Sequence, residues 1–167
     1  MKSEPPKSFS RDLTLPDEAA TEALGRALAS LLRVGDFVAL NGDLGAGKTA
    51  LARAIIRARL GDDDEDVPSP TFTLVQTYEA PEADGAEALL ITHVDLYRLD
   101  DPSEVRELGL GEALDEGAIL MEWSEKLGSL PATRLDITLT LKGDQGARAC
   151  RLTAHGAFAN RLEALNL

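Results

Sequence analysis

A chain of 167 residues, 44% of them hydrophobic, is long enough for one α/β domain with a proper core. Its apolar runs are too short to cross a bilayer. Its net charge of −12, from 29 acidic and 17 basic residues, argues against a broad nucleic-acid footprint, which needs clustered Lys and Arg.

Met1 to Lys7 holds two lysines and two prolines with no apolar run behind them, so it reads as a flexible leader rather than a signal peptide. No linker or repeat follows, and residues 8–167 are expected to form a single domain. Ser8 to Leu15 suits an edge strand, with Phe9, Leu13 and Leu15 on one side and Arg11 interrupting the pattern. Pro16-Asp17-Glu18 reads as a helix start. Ala20, Leu24, Leu28, Leu31 and Leu32 then recur at helical spacing, and Gly35 is the stop.

Phe37 to Leu40 is a short apolar run suited to a buried strand. Gly42-Asp43-Leu44-Gly45-Ala46-Gly47-Lys48-Thr49 follows it and fits G-x-x-x-x-G-K-[ST]. A helix from Ala50 to about Leu60 comes next, so the motif lies between a strand and a helix, as a phosphate loop requires. Its glycines allow several N–H groups to converge at a helix N-terminus, where an anion is favoured. Lys48 can reach outer phosphates, and Thr49 can offer its hydroxyl to Mg²⁺. The expected nucleotide-binding residues are therefore Gly42, Asp43, Leu44, Gly45, Ala46, Gly47, Lys48, Thr49 and Ala50. Guanine-reading N/T-K-x-D is absent, which favours ATP over GTP.

The acidic run Gly61 to Asp66 reads as a solvated loop. Val67 to Gln76 begins extended under its two prolines and then alternates like a strand. Ser69, Thr71 and Thr73 are candidates for sensing a γ-phosphate, with a proline-rich connector as the alternative. Tyr78 to Glu87, with Pro81, Asp84 and Gly85, is a turn between strands. Ala88 to Asp95 is a buried strand ending in a carboxylate, placed to hold Mg²⁺ directly or through water. Arg98 can reach phosphate or pair with a surface acid. Short helices are expected from Asp101 to Leu108 and from Leu110 to Leu114.

Ala118 to Glu122 is a second apolar strand ending in an acid. Glu122 can join Asp95 at a metal, order a water or act as a general base, with a rim salt bridge as the alternative. Trp123, the only tryptophan, reads as core or as part of a site rim. Arg134 to Leu141 alternates, placing Leu135, Ile137, Leu139 and Leu141 inward. A turn at 142–146 returns it through Ala147 to Thr153 as an antiparallel hairpin, and Gly156 to Leu167 ends the chain as a helix. The one cysteine, Cys150, falls in that returning strand and reads as a buried structural thiol, compatible with a reducing cytoplasm. His93 and His155 show no ligand partners in the sequence and read as structural or surface residues.

Four segments in this order, Asn41 to Thr49, Ser69 to Val75, His93 to Leu99 and Glu122 to Glu125, together resemble the bacterial TsaE (YjeE) family, the ATPase component of tRNA threonylcarbamoyladenosine biosynthesis. The resemblance covers about Leu15 to Leu141. It implies an α/β P-loop NTPase fold with a mainly parallel central sheet flanked by helices, antiparallel edge strands and a C-terminal hairpin. It also implies ATP and Mg²⁺ as cofactors and a cytoplasmic role. The partners would be a threonylcarbamoyltransferase subunit and its non-catalytic paralogue, with tRNA reached only through them and no membrane involved.

Carried over by residue, the resemblance makes Lys48, Asp95 and Glu122 catalytic and Thr49, Asp95 and Glu122 metal-linked. Ser69, Thr71 and Thr73 would be the switch. Trp123 would lie near the site and partner surface, and Glu18 near the base. Ser124 stands where many members have proline. The competing reading is a small-molecule kinase, which usually needs an arginine-bearing lid; Arg98 and Arg106 stand isolated. A third is a nucleotide-gated binding module with negligible turnover.

Overall fold

The computed structural model describes residues 7–83, 85–143 and 145–167. Of the expected leader, residues 1–6 lie outside the described residues, as do Asp84 and Asp144 of the two expected turns. Lys7 is described, and its ammonium bonds Asn160 and Glu163 near the chain's end.

The elements run β1 (Ser8–Leu15), α1 (Glu18–Ala29), β2 (Phe37–Asn41), α2 (Lys48–Leu60), β3 (Val75–Ala80), β4 (Leu89–Asp95), α3 (Leu110–Glu116), β5 (Gly117–Glu122), β6 (Arg134–Lys142), β7 (Ala147–His155) and α4 (Ala157–Ala164). Two 3₁₀ segments, Pro102–Leu108 and Ser124–Leu127, lie between them. Asp17 caps α1 by accepting the Ala20 N–H at 2.9 Å, which is why the helix begins after Pro16-Asp17. Gly61, at φ 70°, closes α2 with a left-handed cap.

All seven strands join one sheet in the order β1-β7-β6-β2-β5-β4-β3. The central four, β6-β2-β5-β4, are mutually parallel. The outer pairings β6–β7, β7–β1 and β4–β3 are antiparallel. The expected parallel centre with antiparallel edges therefore forms. The C-terminal hairpin is built into the sheet, because β6 pairs directly with β2.

Strand alternation divides the core between the two faces of the sheet. Val38, Leu40, Ala118 and Leu120 face a cluster with Leu24, Leu28, Ile55, Ile56 and Phe158, from α1, α2 and α4. Phe37, Ala39, Ile119 and Met121 belong to the opposite cluster, with Val94, Leu96 and Leu99, against which Val105, Leu110, Ala113 and Leu114 pack. Both faces of the parallel centre are thus covered, as its continuous apolar strands require.

Three expectations are corrected. The segment after Pro70 is a turn rather than a strand: Leu74 N–H donates to Pro70 O at 2.7 Å, Leu74 has φ 66°, and β3 begins only at Val75. Leu141 is 49% exposed rather than inward. The β2–β6 pairing ends at Asn41 opposite Thr138, so the hairpin tip runs past the layer that buries Leu135, Ile137 and Leu139. The closing helix is also shorter than expected and stops at Ala164.

Candidate functional site

In open α/β sheets, ligands gather at the carboxyl ends of the parallel strands. Here those ends are Asn41 of β2, Asp95 of β4 and Glu122 of β5. Glu122 is in register with Leu40 on one side and Asp95 on the other. Pairing of the strands therefore brings together two acids that lie far apart in the chain and sets them beside the loop that follows β2.

The loop needs its glycines for different reasons. Gly42 has φ 144°, and a Cβ there would lie 2.5 Å from the Leu139 carbonyl oxygen. Gly47 has φ 104° at the start of α2, and a Cβ there would meet the Arg148 guanidinium at 2.7 Å. Lys48 is buried, and its ammonium donates to Gly42 O at 2.5 Å and Asp43 O at 2.8 Å. It also sits 4.2 Å from the centre of the Trp123 ring. Burial pushes the Lys48 ammonium below its usual range, while the charges of Glu122, Glu125, Asp95 and Asp43 pull it upward.

Thr49 Oγ1 donates to Glu122 Oε1 at 2.7 Å. The other Glu122 oxygen, Oε2, lies 2.7 Å from His93 Nε2. Glu122 is 2% exposed and so lies well below the rim, which removes the rim salt bridge as an alternative. Asp95 is buried as well. Its Oδ2 accepts from Thr71 Oγ1 at 3.1 Å and its Oδ1 from the Tyr97 N–H at 2.8 Å. Ser69 and Thr71 hydroxyls are 2.7 Å apart. A cleft of ≈ 310 Å³ runs over this group, with Leu44, Tyr97 and Trp123 along its walls.

Most of the expected site residues are therefore assembled in one place. Thr73 is not: it faces solvent and accepts from Gln76 at 3.2 Å. Arg98 stacks on Phe72, 3.9 Å from the ring centre. Trp123 combines both of its readings, packing against the core, lining the cleft and lying 5.0 Å from the Tyr97 ring. Glu18 lines an adjoining cleft of ≈ 320 Å³ beside Thr21, Gly47, Ala50, Arg53 and Arg148. Ser124 is buried and donates to Asn41 Oδ1 at 3.3 Å, just ahead of the loop.

Two residues of this group were given no site role from the sequence. His93 carried a signal: two residues before Asp95 on a strand, it shares that residue's face. Arg148 carried none. It donates to Ala46 O at 2.5 Å across 102 residues of chain, and only the β6–β7 register takes it there.

The donor set suits Mg²⁺. That ion keeps several waters and takes one or two carboxylates beside substrate phosphates, rather than a full protein cage. Thr49, Glu122 and Asp95 supply such a partial set. Among the described residues no group of three or more His, Cys, Asp or Glu side chains forms a metal site.

Comparison with known proteins places the chain in a family. The family model for threonylcarbamoyl adenosine biosynthesis protein TsaE matches residues 15–150, a span that includes the loop, both acids and Arg148. The tRNA threonylcarbamoyladenosine biosynthesis protein TsaE of Rickettsia bellii is 41% identical over 140 residues, covering 83% of this chain and 92% of the relative. The protein of that name from a Nostoc species is 38% identical over 144 residues, covering 83% of each. A crystal structure of Bacillus subtilis YdiB superposes with a TM-score of 0.68 at 30% identity, covering 96% of this chain and 94% of that one. The chain belongs to the TsaE family.

Proposed function

We propose that this chain binds ATP with Mg²⁺ and hydrolyses it in the service of tRNA threonylcarbamoyladenosine synthesis. The biosynthetic role follows from the family. The observation that carries the ATPase reading is the Thr49–Glu122 contact. It joins the phosphate loop to a strand-end carboxylate, the arrangement that positions a cation beside transferring phosphates.

In this reading the N–H groups from Asp43 to Thr49 cradle the phosphates, and Lys48 exchanges its two loop carbonyls for phosphate oxygens. Thr49 would present an oxygen lone pair to the cation while its hydroxyl proton still points at Glu122. Asp95 holds the cation's water shell, and Ser69 and Thr71 respond to what occupies it. Bound magnesium would supply charge neutralisation at the bridging and terminal phosphate oxygens. Both Glu122 oxygens already accept hydrogen bonds, which favours the metal-linked role over general base. The base and ribose would occupy the adjoining cleft near Glu18, Ala50 and Arg148.

The partners in this proposal are a transferase subunit and its non-catalytic paralogue, which hold the tRNA in the cytoplasm. An acidic chain need not grip RNA itself when a partner does so. Among the described residues no helix is long and apolar enough to cross a membrane. The test is ATP hydrolysis by the purified chain, alone and with the partner pair. Slow turnover that rises sharply with partners is expected. Equal rates would sink partner coupling, and phosphoryl transfer to an added small acceptor would replace it with kinase chemistry.

A further inference from the structure

His93 is a titratable side chain beside the phosphate site that the proposed function leaves without a role. It is fully buried on β4, an outer strand of the parallel four, between β5 and the edge strand β3, and is 0% exposed. Its Nε2 lies 2.7 Å from Glu122 Oε2, while its Nδ1 is buried with no hydrogen-bond partner. That asymmetry places the proton. A proton on Nδ1 would be a buried N–H donor without an acceptor, which native structures rarely tolerate. A bare Nδ1 lone pair without a partner costs less than a stranded N–H. The proton therefore sits on Nε2, and the ring donates to the carboxylate.

Glu122 then receives one donor on each oxygen, Thr49 at Oε1 and His93 at Oε2, both at 2.7 Å. Two fixed donors on opposite oxygens hold a carboxylate against rotation about its last bond. Without the His93 bond, Oε2 would be a buried anionic oxygen with no partner. The carboxylate would then gain by turning toward the loop or toward solvent and leaving Thr49. Strand geometry permits the contact: His93 is in register with Leu120, so Glu122 is its diagonal neighbour on the same face of the sheet.

Resting on the Mg²⁺–ATP reading above, we infer that His93 is a positioning residue that sets the orientation of Glu122 and, through it, of the Thr49 hydroxyl toward the cation. It touches neither nucleotide nor metal. Its effect falls on how well magnesium strengthens nucleotide binding, because partners that orient a ligand typically change metal affinity by about 10- to 100-fold. A histidine kept only to fill the core would support folding and leave that magnesium response unchanged.

Two measurements on the full chain test this. The first is ¹⁵N NMR of the imidazoles in nucleotide-free protein. There are two histidines to assign, and a His155→Asn variant identifies the other one. A proton on Nε2 of His93 is expected; a proton on Nδ1 with Nε2 bare overturns the inference whatever the chain does with ATP. The second is ADP binding in EDTA and across a magnesium titration, for the wild type and for His93→Leu, His93→Asn and His93→Gln. Leu and Asn lack a donor at the Nε2 position, whereas the Gln amide can restore one.

Leu and Asn are expected to bind ADP in EDTA as the wild type does, but to need about 10- to 100-fold more magnesium for the same gain. Gln should recover most of that gain. Wild-type magnesium dependence in Leu or Asn, or a Gln variant as impaired as both, overturns the inference. If Leu does not fold, the Asn and Gln pair decides. Failure of the wild type to bind ADP at all would instead sink the Mg²⁺–ATP reading, and the NMR result would still stand on its own.

Discussion

Lys48 illustrates how much of this site depends on the exchange of single partners. Its ammonium is buried, held by two loop carbonyls and stacked near Trp123. A phosphate that takes those bonds must draw the charge off the indole ring, so nucleotide binding should change Trp123 emission. Lys48→Ala is expected to abolish both the emission change and ATP binding by calorimetry; unchanged affinity would remove the phosphate-loop assignment. Glu122→Ala acts differently. It leaves the phosphate loop intact and should retain nucleotide, but lose partner-stimulated turnover by about 100-fold or more, the scale for removing an electrostatic group of the transition state. It also strands the buried His93 ring without its partner, so about 1–3 kcal/mol of stability should go with it in urea titrations.

The hairpin β6–β7 and the helix α4 each tie a late part of the chain to an early one. Arg148 on β7 packs over Gly47 and donates to Ala46 O, so the hairpin braces the outer wall of the phosphate loop. Arg148→Ala is expected to weaken ATP binding several-fold, about 1 kcal/mol on the scale of one hydrogen bond, with the thermal midpoint nearly unchanged. A large loss of stability with normal affinity would make Arg148 a strut alone. On α4, Arg161 forms a two-pronged pair with Asp36, with side chains 14% and 5% exposed, and also donates to Leu31 O. It closes the turn between α1 and β2. Removing Arg161 leaves the buried Asp36 carboxylate with only the Arg33 N–H, so Arg161→Ala should cost about 3–5 kcal/mol by urea unfolding. Nucleotide affinity should hold at temperatures where the variant is folded, because the pair lies at the end of β2 away from the loop.

For the whole molecule, the pH response of stability follows from what the sheet buries. Cys150 sits inside the core on β7, and burial, with the Asp12 charge adding to it, pushes its thiol from 9.0 up to about 12. The folded state therefore holds this proton more tightly than the unfolded chain does. The resulting stability is complete below pH 9 and is lost as pH climbs from there toward 12. Urea midpoints should fall more steeply with alkaline pH in the wild type than in Cys150→Ala, and equal slopes would remove the assignment. The same division between local pattern and distant pairing explains what could be read before the fold was seen. The sequence by itself determined the phosphate loop between its strand and helix, the acids closing two apolar strands, the edge strand, the hairpin and the buried thiol. Each of those depends on relations within a few residues: a motif, a period of two, a turn or a cap. The tertiary structure was needed to show that Pro70 to Leu74 is a turn, that Leu141 is exposed and that Arg148 braces the loop. It also decided that Glu122 is held by Thr49 and His93, 73 and 29 residues away in the chain. Those outcomes depend on which strands become neighbours and in what register, and register is set by the packing of the whole sheet.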